Sequence, residues 1–359
     1  MSSAFNGGVS FVVFGESHGS GIGIVLDGLP PGEKIDLEKT GVFMARRAPR
    51  KDGTSTRREE SDVPEILSGL YNGKTSGTPL CAIIRNAGQR SADYEKITRG
   101  NVLPRPGHAD YTGHIRYGGH NDARGGGHFS GRLTAPLCFA GSVCGQILER
   151  RGVTTGAHIY SVGNAEDEPF DPVCVSENEL NAVKARYLPL LNAEKDDEMR
   201  RIIGRAQKNG DSVGGIIECC AVGVPAGVGS PMLDGLENVI ARLIFAIPAV
   251  KGIEFGAGFA AAKMKGSRNN DEFYVKDGEV LTKTNNHGGI LGGISSGMPI
   301  IFRAAVKPTP SVALPQKTVD LSDGTEAVIK IAGRHDPCIV PRAVPAVEAA
   351  LNVALLSLM

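Results

Sequence analysis

The chain has no surplus of charge: 39 basic residues meet 39 acidic ones over 359 positions. No global field therefore draws it to nucleic acid or to a membrane surface, and any anion site must be built by local clustering. It also lacks a Cys-X-X-Cys pair. Its seven cysteines, at 81, 138, 144, 174, 219, 220 and 338, are odd in number and lie mostly in apolar stretches, which points to a reduced, cytoplasmic compartment and not to a disulfide framework. No basic segment leads into a long apolar one at the N-terminus. Phe11 to Phe14 is short and Gly15-Glu16 interrupts it, so no secretory leader is expected. The C-terminal run from Val344 to Met359 is broken by Glu348 and Asn352 and falls short of the ~20 residues that span a bilayer. Its apolar positions 344, 347, 351, 354, 355 and 358 recur at helical spacing with Pro341 near the start, which predicts a core or subunit-interface helix. No Gly-X-Gly-X-X-Gly follows a strand with an acidic residue in the right place, so a dinucleotide-binding fold is not supported. No sequence repeat or low-complexity linker marks a boundary, and the chain reads as one domain over 1–359.

Glycine is what the chain has in excess: 48 of 359 residues, about 13% against a usual ~7%, with ordinary apolar content and no Gly-X-Y period. That excess is loop chemistry. The opening predicts a strand over Ser10 to Phe14, a functional loop over Gly15 to Gly21 and a second strand over Ile22 to Leu26. A helix is expected from the N-cap Asp36 to about Arg47, stopped by Pro49, and a strand over Leu80 to Arg85. The glycine-dense segment Gly118 to Gly131 is too poor in helix and strand formers to be a regular element. Beyond it, Leu133, Leu137, Ala140, Cys144, Ile147 and Leu148 predict a helix ending at Arg150-Arg151-Gly152, with Pro136 in its first turn or at a kink. Helical patterns recur at 176–187, 196–208 and 234–247 around a strand-like 214–223. Turns at Lys276-Asp277-Gly278 and Ser322-Asp323-Gly324 join alternating runs into hairpins, so the class is α+β with antiparallel sheet.

Three runs place a titratable side chain among glycine, proline and hydrogen-bonding residues: Gly15-Glu16-Ser17-His18-Gly19, Arg105-Pro106-Gly107-His108-Ala109-Asp110 and Arg334-His335-Asp336-Pro337. Such residues shape loops and do not fill cores, so the runs are candidates for one site assembled from distant segments. Each also has a plain reading. His18 is equally a turn histidine satisfied by carbonyls, and its adjacent Ser17 does not form a nucleophile elbow. Arg105 offers a planar fork for carboxylate or phosphate, or a solvated surface charge. Histidines 108, 114, 120 and 128 match no zinc spacing, so no metal is assigned. Arg46, Arg47, Arg50, Lys51, Arg57 and Arg58 face one acid, Asp52; the run is a solvated loop or a site for a small polyanion, and without interleaved aromatics it does not suit nucleic acid. Near the end, Asn285-Asn286-His287-Gly288-Gly289 and Gly292-Gly293 precede Lys307-Pro308-Thr309-Pro310-Ser311, where amides, a lysine and two hydroxyls offer a phosphate cradle or simple turns.

Taken in order, these runs, with Glu65-Ile66-Leu67-Ser68-Gly69, Gly73-Lys74-Thr75-Ser76-Gly77-Thr78-Pro79 and His287-Gly288-Gly289-Ile290, resemble the chorismate synthase family over essentially the whole chain. The resemblance implies a β-α-β sandwich with internal pseudo-symmetry, assembled as a homotetramer. It implies a lyase that converts 5-enolpyruvylshikimate 3-phosphate to chorismate by anti-1,4-elimination of phosphate, using reduced FMN with no net redox change, at the last common step of aromatic amino-acid biosynthesis. By motif, His18 would protonate the departing phosphate, His108 would serve the flavin, and Asp336 would help take up a proton, with Ser17 and Ser130 completing the relay. FMN would meet His128, Phe129, Ser130, Gly292, Lys307, Pro308, Thr309, Pro310, Ser311 and Arg334. Arg46, Arg47, Arg105, Arg132 and Arg342 would bind the substrate's phosphate and carboxylates.

The sequence departs from the family pattern in three places. The usual Gly-Gly-Arg-Ser-Ser-Ala-Arg-Glu-Thr reads Gly126-Gly127-His128-Phe129-Ser130-Gly131-Arg132-Leu133-Thr134. The usual Arg-Arg-Arg-Pro-Gly reads Ala45-Arg46-Arg47-Ala48-Pro49, and Pro248 stands where an asparagine is common. Some relatives reduce their own flavin with NADPH; no reductase insert is evident at this length, so an external flavin reductase or reductant is expected. The competing readings are a hydride-transferring flavoenzyme, which would oxidise a donor in step with product, and a phosphoanion- or RNA-binding module, which would not need both histidines.

Overall fold

The computed structural model describes residues 3–49, 62–86, 103–186, 188–331 and 336–359. The first sheet is built from β1 (Ala4–Phe5), β2 (Ser10–Gly15), β3 (Gly21–Asp27), β4 (Pro64–Ser68) and β5 (Leu80–Arg85), in the order β1-β2-β3-β5-β4, every pairing antiparallel. The second contains β6 (Thr154–Val162), β7 (Ala165–Glu166), β8 (Gly215–Val222), β9 (Val250–Phe255) and β10 (Ile300–Val306), in the order β9-β10-β8-β6-β7, again antiparallel. Period-2 alternation sends Ile22, Ile24 and Leu26 of β3 and Leu80, Ala82 and Ile84 of β5 to one face, all buried. Ile217, Cys219 and Ala221 of β8 and Ile300, Phe302 and Ala304 of β10 do the same in the second sheet.

Between the two buried faces lies a layer of helices. Helix α1 (Leu37–Ala45) starts where the Asp36 carboxylate accepts from Glu38 N (2.9 Å) and Lys39 N (3.1 Å). Helix α2 (Asp110–Arg116) belongs to the crossover described below. Helix α3 (Thr134–Arg150) carries Pro136 in its first turn, where no intrahelical bond is lost. Helices α4 (Glu177–Ala185) and α5 (Asp196–Lys208) lie in the long β6–β8 connection, α6 (Leu236–Phe245) precedes β9, and α7 (Val340–Leu358) ends the chain. Helices α3 and α7 pack closely along each other at the centre, where a methyl group on Gly141 would sit 2.2 Å from Ala349 Cα. Asn352 uses the polarity of that crossing, donating to Gly141 O (3.1 Å) and accepting from Thr155 Oγ1 (2.7 Å), so the buried amide is satisfied. Among the described residues α7 is the one helix long and apolar enough to cross a membrane, and 78% of its apolar window is buried in the sandwich.

The two halves repeat one plan. In each, four strands in chain order occupy spatial order first-second-fourth-third; a helix (α1 or α6) follows the second strand and a long buried helix (α3 or α7) follows the fourth. The structure thus contains the internal symmetry that no sequence repeat discloses. Strand β6 departs from simple alternation because eight of its nine residues are buried, covered on both sides. The hairpins expected at Asp277-Gly278 and Asp323-Gly324 form, pairing Phe273–Lys276 with Glu279–Thr282 and Gln316–Val319 with Glu326–Ile329.

Candidate active site

Two crossovers, one in each half, run from the fourth strand to the long buried helix and meet over the β2–β3 turn. The described parts are 86 and 103–133 from the first half, and 307–331 and 336–339 from the second. Arg105 Nη1 donates to Ser311 Oγ (3.4 Å), Thr318 Oγ1 to Pro104 O (2.6 Å), and Lys307 Nζ to Gly107 O. Ser212 Oγ donates to Thr309 O (2.7 Å) and Val213 N to Pro337 O (2.9 Å), which ties the second crossover down to the β6–β8 connection.

Beneath them the turn Glu16–Ser20 presents His18, which is 7% exposed. Ser17 Oγ lies 3.1 Å from His18 Nδ1 and 3.3 Å from Arg124 O. A serine has one proton to give. When it goes to the carbonyl, Ser17 Oγ accepts from the imidazole and places the ring proton on Nδ1. The strip Gly125-Gly126 separates His18 from His108: a methyl at Gly125 would fall 2.0 Å from His18 Cε1, and one at Gly126 would fall 3.1 Å from His108 Nε2. Both glycines have positive φ (59° and 100°), a conformation that side chains rarely adopt, so the strip is a floor that only glycine can form between the rings.

His108 is oriented from its other side. Its Nδ1 lies 2.6 Å from Asp110 Oδ1, and Arg105 grips the same carboxylate through Nε (2.6 Å) and Nη2 (2.7 Å). Burial would raise the Asp110 carboxyl, but hydrogen bonds from Arg105 and His108 outweigh it and hold the group well below the usual carboxylate range. Arg105 Nη2 also lies 3.1 Å from His108 Nδ1, so that nitrogen is held between the carboxylate and the guanidinium and Nε2 faces the glycine strip. Beside the turn, burial and the neighbouring Asp122 push the Glu16 carboxyl up, while Arg124 holds Asp122 down.

A cluster of guanidinium groups borders the two histidines. Asp62 pairs with Arg47 (3.1 Å) and with Arg132; Arg342 Nη1 pairs with Asp336 (2.7 Å) and its Nε donates to Arg47 O (3.0 Å). The cluster gathers three guanidinium groups and two carboxylates in a largely buried place. Planar guanidinium forks gathered this way suit carboxylate or phosphate. Lys307 adds a second cationic point, its ammonium made less basic by burial and by the charge of Lys251. Thr309 Oγ1 is buried without a hydrogen-bond partner among the described residues, an orphan that a phosphate oxygen suits.

The remaining candidates fall in several places. Ser130 Oγ accepts from Arg132 N (3.2 Å) and starts the turn into α3. The His128 ring is held between Gly15 O (2.8 Å, Nδ1) and Ser3 Oγ (2.5 Å, Nε2), and Phe129 packs on Gly113 and Tyr117 of the α2 region. Pro310 lies against Gly107, within the junction of the crossovers, and Pro308 continues the same strand end. Gly292 is elsewhere, in a hairpin turn whose companion Gly293 abuts Ser230 and Gly235. Arg46 also turns away from the cluster: it pairs with Glu348 of α7 (2.7 Å) and lies over the Phe43 ring, because the buried glutamate requires a cation. Arg334 and His335, and Arg50, Lys51, Arg57 and Arg58 of the basic loop, lie outside the described residues. Sequence reasoning left Asp62, Asn86 and Asp110 unassigned. Asp110 stood within a quoted motif; the other two carry no local signal.

The family model described as chorismate synthase matches residues 9–359. The chain is 47% identical over 346 residues to the chorismate synthase of Thermococcus kodakarensis, covering 96% of this chain and 93% of that protein. It is 48% identical over 349 residues to that of Pyrococcus abyssi, covering 97% and 94%. A crystal structure of a chorismate synthase superposes with a TM-score of 0.76 at 30% identity, covering 98% of this chain and 91% of that one.

Proposed function

The chain belongs to the chorismate synthase family and is a lyase of that family, and from this premise we propose that it converts 5-enolpyruvylshikimate 3-phosphate to chorismate by anti-1,4-elimination of phosphate, with reduced FMN and no net redox change. The observation that carries the reading is the Gly125-Gly126 floor with a histidine on either side and the cationic cluster at its edge. The C6 hydrogen of the substrate is weakly acidic and the phosphate leaves across a conjugated system. The chemistry that reduced FMN supplies when bound is transient donation of electron density and acceptance of the hydrogen from C6. Lys307, Thr309 and Ser311 would hold it, with Ser130, His128, Phe129, Pro308, Pro310 and Arg334 around them; the cation, the orphan hydroxyl and the side-chain-free floor suit a flat phosphorylated ring.

Arg47, Arg132 and Arg342 take the phosphate and carboxylates, and Arg105 adds its charge from the His108 side. His18 gives its proton to the departing phosphate oxygen, a task suited to histidine because its unperturbed pKa of ~6.5 lies near the second phosphate value of ~6. Nε2 of His108 faces the floor, its ring oriented by Asp110 and Arg105. Asp336, steadied by Arg342, receives the proton at the end of the cycle, with Ser17 and Ser130 as relays. The enzyme works as a cytoplasmic homotetramer at the last common step of aromatic amino-acid synthesis and depends on an external reductant for its flavin.

The test is anaerobic mixing of the full chain with chemically reduced FMN and the substrate, following phosphate, chorismate absorbance and flavin state together. Many turnovers per flavin, equimolar phosphate and chorismate, and FMN still reduced are expected. Flavin oxidised in step with product overturns the elimination. Sustained turnover with oxidised FMN and NADPH alone overturns the external reductant, and a monomeric mass overturns the tetramer.

A further inference from the structure

Asn86, the residue after β5, makes a set of contacts that no motif suggests. Its Nδ2 donates to Glu16 O (3.0 Å) and Gly19 O (2.9 Å), the two carbonyls that bracket Ser17 and His18, and its backbone N donates to Ser20 O (3.2 Å). Its Oδ1 accepts from Arg132 Nε (3.2 Å). The orientation of the amide follows from these partners: rotated by half a turn, it would face two carbonyls with an oxygen and a guanidinium with an NH₂. Gly19 N donates to Glu16 O (3.1 Å), so the turn is closed on itself, and the Asn86 amide donates to both of its bracketing carbonyls. Arg132 continues to Asp62, Asp62 to Arg47, and the Arg47 carbonyl to Arg342 and Asp336.

We propose that Asn86 is a positioning residue that sets the His18 turn by clamping its two carbonyls while holding the anion-binding Arg132, so that the imidazole and the arginine keep a fixed separation. The inference rests on the reading of His18 as the proton donor to phosphate. Asn is required because it alone of the small polar side chains offers two donors and an acceptor in one plane. Aspartate keeps the acceptor and loses both donors; alanine loses all three.

The experiment compares Asn86→Ala, Asn86→Asp, His18→Ala and the double variant His18→Ala/Asn86→Ala in two readouts. In phosphate release, Asn86→Ala is expected to lower kcat about 10- to 100-fold; in the His18→Ala background it is expected to lower kcat less than about 2-fold while still raising KM, because the arm of the clamp that acts through His18 is gone and the arm that holds the anion-binding Arg132 remains. In hydrogen exchange of the resting protein, peptides covering 14–20 are expected to exchange at least about 10-fold faster in either Asn86 variant, with peptides of β8 unchanged. Multiplicative losses of kcat in the double variant overturn the proposal, as does unchanged exchange at 14–20. A wild type that releases no phosphate defeats the parent reading alone, and exchange then decides the clamp. If Asn86→Ala does not fold, Asn86→Asp carries both readouts.

Discussion

Replacing Glu218 by glutamine is expected to cost the fold several kcal/mol and to change how its stability responds to pH. In the second sheet His158 of β6, Glu218 of β8 and Arg303 of β10 are cross-strand neighbours in register. His158 is fully buried, with Nδ1 at 3.2 Å from Asp167 and Nε2 at 3.0 Å from Glu218. Glu218 Oε2 also accepts from Phe170 N (2.7 Å), and Oε1 accepts from Arg303 Nε (2.8 Å). Glutamine preserves volume, but whichever way its amide turns the NH₂ meets a fixed donor, Arg303 on one side or the Phe170 amide on the other. Removing one partner of a buried ion pair costs about 3–5 kcal/mol. Spread over the unfolding entropy of a chain this long, that is a fall in Tm of roughly 4–7 °C.

The sign of the pH effect follows from the same contacts. Burial alone would lower His158, but Asp167 and Glu218 outweigh it and raise it above its ordinary 6.5. Its contribution is therefore complete below about 6.5 and is lost as pH climbs through the raised value, while the lowered Asp167 and Glu218 lose theirs only on acidification through their folded values. In Glu218→Gln the alkaline decline flattens, because a neutral imidazole then suffices for Asp167. The chain has no tryptophan, so calorimetry or far-ultraviolet ellipticity across pH is the assay. A variant with an unchanged Tm, or a wild type whose Tm rises between about pH 7 and about 9, would refute the reasoning.

The floor between the histidines gives a second expectation. Gly125→Ala places a methyl 2.0 Å from His18 Cε1 at a φ of 59° and should lower kcat about 100-fold, with a backbone penalty of roughly 1–2 kcal/mol. Gly131→Ala, which meets nothing within 4 Å, is the control, and equal activities of the two in phosphate release would remove the floor from the mechanism. Arg46→Met and Arg47→Met should separate neighbouring arginines by role. The first leaves buried Glu348 with the longer Lys184 pairing (3.9 Å) in place of its 2.7 Å partner and lowers Tm, with KM in the surviving folded protein little changed; the second raises KM for substrate at least about 10-fold. Denaturation midpoints and steady-state kinetics on both decide it, and a KM effect confined to Arg46→Met would reverse the assignment.

Elements with a local cause were legible in the chain: β5 runs from Leu80 to Arg85 as its alternation predicts, α5 spans 196–208, and α1 starts at its Asp36 cap. Strand β6 was not, since cover on both faces removes the alternation by which a half-buried strand is read. His18 and His108 stood out because glycine and proline turns around a titratable group have little packing purpose. Their partners did not stand out. Asn86 is one amide at a strand end, and whether Arg46 or Arg47 faces the anion cluster is settled by Glu348, some 300 residues downstream.

The symmetry explains why the site resists reading from any one segment. Each half supplies a crossover between its fourth strand and its long helix, and the two crossovers differ in what they carry: His108, the glycine floor and Ser130 from the first, Lys307, Thr309, Ser311 and Asp336 from the second. The contacts Arg105–Ser311, Lys307–Gly107 and Thr318–Pro104 form only when both sheets close on the shared helical layer. The α3–α7 crossing at Gly141 and Ala349 fixes that closure, because both crossovers end at the first turns of these helices. Packing at the centre of the sandwich thus sets the register of the loops above it, and a change in the helix spacing moves the histidines of one half against the lysine and carboxylate of the other.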